Sequence, residues 1–395
     1  MKNTFFEVGV QDYKLRIFDI VMEAEFGTSY NSYLLKGSEK TVLFDSVKYS
    51  FTDEFIKNIK KYVDPSKIDY IVVHHTEPDH SGSLYKVLEY APNATIVGSA
   101  IAIKYLKSII NKPFKSQIVK DGDSISVGDK TIKFLSVPML HWPDTIYSYI
   151  VESKILLTCD SFGSHYASDK SFYSELDKTW AEKYALAAKY YFDVIIGPFK
   201  PFVIKALDKI ANLDIDYICP SHGLIIDKPH IEEFKKLYKE WSTVFKKHDL
   251  SIIIPYVSAY GYTKKLAQAV EEEARKLCPK AKITAFDLTF DDMGRAIEDV
   301  QECDILIMGS STLIGDALPQ IWQILTSLNP VIHGGKIAAC FGSHGWSGEA
   351  LPNITQRYNQ LKFKTPVEPF GVMFKPTDED VVKIKEWTKS IIESY

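Results

Sequence analysis

Five short apolar runs recur after residue 250: "SIIIPYV" (251–257), "KITAFDL" (282–288), "CDILIMGS" (303–310), "KIAACFGS" (336–343) and "VEPFGVMF" (367–374). A helix-length segment separates each from the next. Strands this apolar along their whole length are covered on both faces, and regular alternation with helices predicts a doubly wound parallel sheet. The preceding residues follow a different pattern. "YNSYLL" (30–35), the turn "KGSEK" and "TVLFD" (41–45) read as a hairpin. "DSISVGDKTIKFLSVP" (123–138) and "SYIVESKILLTCD" (148–160) read as two more. With 395 residues the chain is too long for one hydrophobic core. The change of pattern places a domain boundary near residue 249, giving domains 1–249 and 250–395.

Within the first domain, "IDYIVV" (68–73) and "ATIVGS" (94–99) read as strands, and "SLYKVLEYA" (83–91) and "AIAIKYLKSII" (100–110) as helices. Residues 180–248 read as mainly helical, interrupted by the strand-like "YFDVIIGP" (191–198) and "DYICPSHG" (216–223). "HIEEFKKLYKEWSTVFKKHD" (230–249) reads as one amphipathic helix.

Composition narrows the function classes. No apolar run reaches the ~18 residues of a membrane span, and the first twenty residues lack a signal-peptide core, so a cytoplasmic protein is expected. A net charge of −4 and only four arginines give no support to nucleic-acid binding. Any phosphate is expected on backbone N–H groups and hydroxyls. The five cysteines form no C-x-x-C pair, which argues against a zinc ribbon, a rubredoxin-type centre or a dithiol motif.

"VVHHTEPDHSGS" (72–83) packs three histidines, a glutamate and an aspartate behind an apolar strand. Such groups are not buried unless something pairs them, and a metal would do so. His75, Glu77, Asp79 and His80 follow one strand-like run, His141 follows another, Asp160 closes a third and His222 follows a fourth. All are expected to reach the same sheet edge. Mixed imidazole and carboxylate donors suit non-haem iron better than thiolate-seeking metals. His74, His165, His230, His248 and His333 are read as solvated or capping residues, with His165 a neighbour of the centre through its closeness to Asp160.

His75-x-Glu77-x-Asp79-His80, followed by His141, Asp160 and His222, resembles the metallo-β-lactamase fold in the version carried by flavodiiron proteins. Hydrolases of that superfamily have H-x-H-x-D-H, where this chain has glutamate at position 77. The resemblance implies an N-terminal metallo-β-lactamase-like αββα sandwich and a C-terminal flavodoxin-like doubly wound parallel sheet. It also implies two irons, one on His75, Glu77 and His141, the other on Asp79, His80 and His222, with Asp160 bridging.

"SAYGYT" (258–263) runs from a strand into a helix, and hydroxyls and N–H groups at a helix N-terminus make a phosphate cradle. Ser258, Tyr260, Gly261, Tyr262 and Thr263 are the candidates there. Two later loops resemble those that border the ring of FMN in flavodoxin-like domains. They supply Ser311, Thr312, Leu313 and Ile314, and then Ser343, His344, Gly345, Trp346, Ser347 and Gly348. Tyr260 departs from the small hydroxyl residue often found there, and Ser311 and Ile314 stand where flavodiiron proteins usually carry proline and asparagine. The function implied is reduction of O2 to water, of NO to N2O, or both. Electrons would pass through FMN from an external donor: rubredoxin, a reduced deazaflavin or a flavin reductase. A head-to-tail homodimer, or a dimer of such dimers, would set one chain's FMN beside its partner's irons. The alternative is a zinc-dependent hydrolase fused to a flavodoxin-like domain.

Overall fold

The computed structural model describes residues 4–20, 22–243 and 250–395. The chain divides into two compact units, Met1–Val244 and Phe245–Tyr395. The boundary expected near residue 249 lies outside the described residues. Among these residues no helix is long and apolar enough to cross a membrane.

The first unit holds two six-stranded mixed sheets. In spatial order one consists of Phe5–Glu7, Tyr33–Lys36, Thr41–Phe44, Tyr70–Val72, Thr95–Gly98 and Lys115–Ile118. The other consists of Ser124–Ser126, Thr131–Ser136, Ile146–Ile150, Ile155–Cys159, Tyr217–Pro220 and Ile226–Asp227. The period-2 alternation of a strand sorts the first sheet's side chains into two layers. Leu34, Leu43, Ile71 and Ile96 pack on Phe55, Ile59, Leu84, Ile103 and Leu106 of the outer helices. Tyr33, Leu35, Val42, Phe44, Val72 and Val97 turn inward against Ile132, Phe134, Ile146, Ile150, Ile155 and Leu157 of the second sheet. Each fully buried aliphatic or aromatic side chain of this kind contributes ~1.5–3 kcal/mol. The three expected hairpins are all antiparallel pairs, and the unit is the αββα sandwich.

Two local expectations need correction. "YFDVIIGP" is helical: Phe192–Ile196 and Gly197–Phe199 join the helices Lys178–Tyr191 and Lys200–Ile210. The buried residues are Tyr191, Phe192, Ile195 and Ile196, with Phe199 just beyond; from Phe192 onward they recur at helical spacing. That spacing of i, i+3, i+4, i+7 belongs to one helix face, and the short apolar run concealed it. The helix expected over 230–249 spans Ile231–Ser242, and Thr243 is extended at φ −78°, ψ 113°. Residues 244–249 lie outside the described part.

In the second unit all five expected strands form one parallel sheet. Their order is Lys282–Asp287, Ser251–Val257, Ile305–Ser310, Ile337–His344, Phe370–Met373. Helices Tyr262–Leu277 and Asp378–Glu393 cover one face through Leu266, Val270, Ile384 and Ile391. Met293–Glu302, Pro319–Thr326 and Ala350–Gln360 cover the other through Val300, Ile321, Ile324 and Ile354. Strand order reverses beside Ser251–Val257, so the loops leaving the strand ends part there and form a crevice.

Candidate metal centre and flavin edge

The strand Tyr70–Val72 runs out into His74 and His75, and Pro78 then starts a one-turn helix, Pro78–Ser81, that carries Asp79 and His80. Proline is favoured at a first helical position because its missing N–H would have no partner there. The other candidates come from the second sheet. His141 follows Thr131–Ser136, Asp160 follows Ile155–Cys159, and His222 follows Tyr217–Pro220. These three strands run the same way, so their carboxyl ends share one edge. The expectation of a single sheet edge is therefore corrected: the donors converge from the matching ends of both sheets.

The structure brings all seven together as two groups. His75 Nε2 and His141 Nε2 each lie 3.0 Å from Glu77 Oε2. His222 Nε2 lies 3.1 Å from Asp79 Oδ2, and His80 Nε2 lies 3.4 Å from Asp79 Oδ1. Asp160 faces both groups with different oxygens. Its Oδ2 is 3.8 Å from His75 Nε2 and 3.6 Å from His141 Nε2. Its Oδ1 is 3.1 Å from His80 Nε2 and 3.5 Å from His222 Nε2. Five of the seven residues are fully buried, while the Glu77 and His141 side chains are 16% and 21% exposed.

The charges around these donors are tightly coupled. Burial opposes charging His75, but the hydrogen bonds it donates to Asp144 and Glu77 outweigh it and hold its pKa up at about 9. Burial also opposes charging His80, and Asp79 and Asp160 hold it well above its usual value. Burial works to raise Asp160, yet His80 holds it well below the carboxylate range. Three clustered carboxylates, two of them buried, thus demand positive charge, which protons or metal ions can supply. Asp79 Oδ1 and His80 Nε2 are buried without a hydrogen-bond partner among the described residues. A pair of cations fits this donor set.

A second layer of contacts was not legible in the sequence. Asp144 Oδ1 accepts from His75 Nδ1 at 3.1 Å, while its Oδ2 accepts from the Thr76 N–H and hydroxyl. His222 Nδ1 donates to the Ser29 carbonyl at 2.6 Å. These bonds leave each Nε2 with its lone pair toward the centre. The Tyr191 hydroxyl donates to Asp160 Oδ1 at 3.1 Å. Ser29 and Tyr191 lie far from every candidate ligand in sequence, and Asp144, three residues after His141, bonds the remote His75 instead.

Several other histidines depart from the solvated or capping reading. His74, His165 and His333 are buried. His165 Nδ1 meets Thr28 Oγ1 at 3.0 Å, and its ring lies edge-on to His222 at 5.5 Å. It borders the centre through His222, and burial together with His222 lowers its pKa to about 3. His230 stands at a helix start and pairs with Glu233. His248 lies outside the described residues.

At the second unit's crevice, Gly261 adopts φ +80° and starts the helix Tyr262–Leu277. The Lys264 N–H donates to Ser258 Oγ at 3.1 Å. Thr263 Oγ1 lies 3.1 Å from Ser311 Oγ and 3.0 Å from Ser343 Oγ, so three buried hydroxyls knot the three loops together. Ile314 and Gly315 take positive φ in the tight hairpin Thr312–Leu313 and Asp316–Ala317. Leu313, Tyr260, Ile314 and Trp346 are exposed, the last three at 86%, 97% and 92%. Tyr262 opens the helix, and His344, Ser347 and Gly348 complete the third loop. A fourth segment, missed in the sequence, adjoins them: Met373 and Phe374 are exposed at the end of the last strand. A Cβ on Gly345 would lie 2.8 Å from the Phe374 ring, which explains that glycine. Flat apolar side chains around hydroxyl-bearing loops at a helix start fit a flavin phosphate and ring.

An αββα sandwich with a histidine-carboxylate centre, joined to a flavodoxin-like sheet, defines a class of two-domain metalloflavoprotein. Comparison with known proteins makes this specific. The family model for the ODP family beta lactamase matches residues 28–223 and that for flavodoxin matches 254–387. The chain is 38% identical to flavo-diiron protein FprA2 of Clostridium acetobutylicum, over 100% of this chain and 98% of that protein. It is 32% identical to the anaerobic nitric oxide reductase flavorubredoxin of Vibrio vulnificus, over 93% of this chain and 74% of that one. Among solved structures, rubredoxin oxygen:oxidoreductase from Desulfovibrio gigas superposes with a TM-score of 0.67 at 29% identity, covering 99% of this chain and 97% of the other. The chain belongs to the flavodiiron protein family. It is an oxidoreductase, and its cofactors are a diiron centre and FMN.

Proposed function

We propose that this flavodiiron protein reduces O2 to water, NO to N2O, or both, with His75, Glu77 and His141 holding one iron, Asp79, His80 and His222 the other, and Asp160 bridging. The observation that carries this reading is the division of Asp160: one carboxylate oxygen faces each donor group. When bound, reduced FMN and the ferrous pair together hold four electrons, enough for O2 to two waters and more than the two that couple NO.

The chain's own residues do the rest. Asp144 and Ser29 fix the tautomers of His75 and His222. Glu77 supplies a hard anionic donor where hydrolases of this fold have a histidine, which favours iron over zinc. The deep burial of five donors excludes bulk water, and the partial exposure of Glu77 and His141 marks the side from which a small gas enters.

Two exposed apolar patches support a head-to-tail homodimer, singly or as a dimer of dimers. On the first unit, Ile17 and Ile20 lie on a hairpin whose Glu23 N–H bonds Tyr190, near exposed Leu186. On the second, Tyr260, Ile314, Trp346 and Phe374 crowd the flavin edge. Apolar patches of this kind mark interfaces. The proposed donor is an external reductant. Rubredoxin, a reduced deazaflavin and a flavin reductase are the three to assay, in the cytoplasm where such reductants occur.

Anaerobically prepared protein, assayed with each donor and with O2 or NO, tests the proposal. Two irons per chain and donor-dependent consumption of either gas are expected. Near-stoichiometric zinc from iron-replete cells, with esterase or thioesterase turnover and no gas reduction, would establish the hydrolase instead.

A further inference from the structure

His74 precedes the first proposed ligand by one residue, is 1% exposed and is absent from the donor set. Its backbone N–H donates to Asp45 Oδ1 at 2.8 Å, and its Nδ1 lies 2.6 Å from Asp45 Oδ2. A carboxylate gripping both groups places the ring proton on Nδ1, so Nε2 accepts from the Ser148 hydroxyl at 2.8 Å. Asp45 ends the strand Thr41–Phe44 of the first sheet, and Ser148 lies within Ile146–Ile150 of the second. The imidazole therefore spans the two sheets at the end where the metal donors converge. It stacks on Phe44 with ring centroids 5.8 Å apart and an 8° interplanar angle. Beside it the Ile146 N–H donates to the His74 carbonyl at 3.0 Å, and Asp144 binds His75 and Thr76.

We propose that His74 is a positioning residue, a strut whose length sets the gap between the ligand loops of the two sheets. The inference rests on the ligand reading above. Each proposed metal position takes donors from both sheets: His75, Glu77 and His141 at one, Asp79, His80 and His222 at the other. Neither can be tighter than that gap. The strut is buried and all its hydrogen-bonding groups are satisfied, so removing either end leaves an unpaired polar group and lets the loops drift.

The test uses full-length protein loaded with iron, and reads the rate at which a chelator strips metal well below the unfolding temperature. Ser148→Ala removes only the far end of the strut, and His74→Asn keeps only the Asp45 end. In both, metal should leave about tenfold faster than in wild type, as expected for outer-contact changes. Ser148→Thr keeps the hydroxyl and should restore wild-type release. Ile59→Ala, in the helix-covered core, lowers the melting temperature without touching the strut and should leave both release rates unchanged. If Ile59→Ala speeds release as much as the strut variants do for an equal loss of stability, or if the strut variants release metal at the wild-type rate, the inference is overturned. A wild-type protein that holds fewer than two metals overturns the ligand reading and this inference with it.

Discussion

Asp160 reaches both donor groups because the backbone turns sharply just before it. Cys159 ends its strand at φ +52°, and the pairing with Tyr217–Pro220 shifts register there. Such a bulge re-aims the next side chain. Asp160→Ala removes the negative charge between two proposed cations. Iron content should fall from two per chain to one or fewer, and water-forming O2 reduction should drop by about tenfold or more. FMN lies in the other unit and should stay bound and reducible, so residual O2 uptake should yield peroxide. Oxygen consumption with and without catalase, beside iron analysis, checks this. Two irons and near wild-type turnover would show that Asp160 is not the bridge. A second prediction concerns pH. Burial, with Lys336 nearby, lowers the His333 pKa to about 4, and its Nδ1 accepts from the Asn329 N–H at 2.8 Å. The fold thus favours the neutral ring. This contribution is present above pH 6.5 and is lost as pH falls from there toward 4. It amounts to about 1–2 kcal/mol once solvent screening is allowed for. Chemical denaturation between pH 7 and 4 should show a smaller acid loss for His333→Gln. An unchanged slope would contradict the assignment.

At the level of elements, strand ends do the positioning. The helix start at Gly261 is the clearest case. Its φ of +80° lies in the left-handed region, and an added Cβ would meet nothing within 4 Å. Gly261→Ala therefore tests backbone strain alone, which costs about 1–2 kcal/mol. FMN should bind about tenfold more weakly, with iron content unchanged, as titration of the apoprotein would show. Unaltered FMN affinity would remove this turn from the binding edge. The central strand Ser251–Val257 carries a different constraint. Pro255 has no N–H to donate, and the ladder to Ile305–Ser310 is interrupted between Ile253 and Tyr256. The pairing with Lys282–Asp287 continues through Pro255. A proline is tolerated here because neighbours on both sides hold the strand.

On the scale of the whole molecule, each unit has its own core, and all three proposed flavin loops lie in the second. Residues 250–395 expressed alone should therefore fold, bind FMN and be yellow. A well-folded, colourless fragment that takes up no FMN would place the flavin elsewhere. The head-to-tail dimer predicts a division of behaviour on dilution. Monomer should keep FMN but lose gas reduction, because one chain's flavin would serve its partner's irons. Sedimentation combined with an activity assay decides this, and a fully active monomer would refute the arrangement.

The sequence by itself determined the two-part architecture and the seven candidate ligands. Both are written as local patterns: apolar strands at regular spacing, and donors directly after them. It also marked three candidate flavin loops, since each follows a strand of recognisable length. It could not show that the donors come from two facing sheets rather than one edge, or that "YFDVIIGP" winds as helix. A short apolar run is compatible with either state until packing selects a face. Asp144, Ser29, Tyr191, Asp45 and Ser148 were silent for the same reason. Their partners are remote in sequence, with Tyr191 bonding Asp160 across 31 positions and Ser148 bonding His74 across 74. Only the folded chain brings such groups within hydrogen-bonding distance, because sheet pairing and core packing, not spacing, set which loops meet.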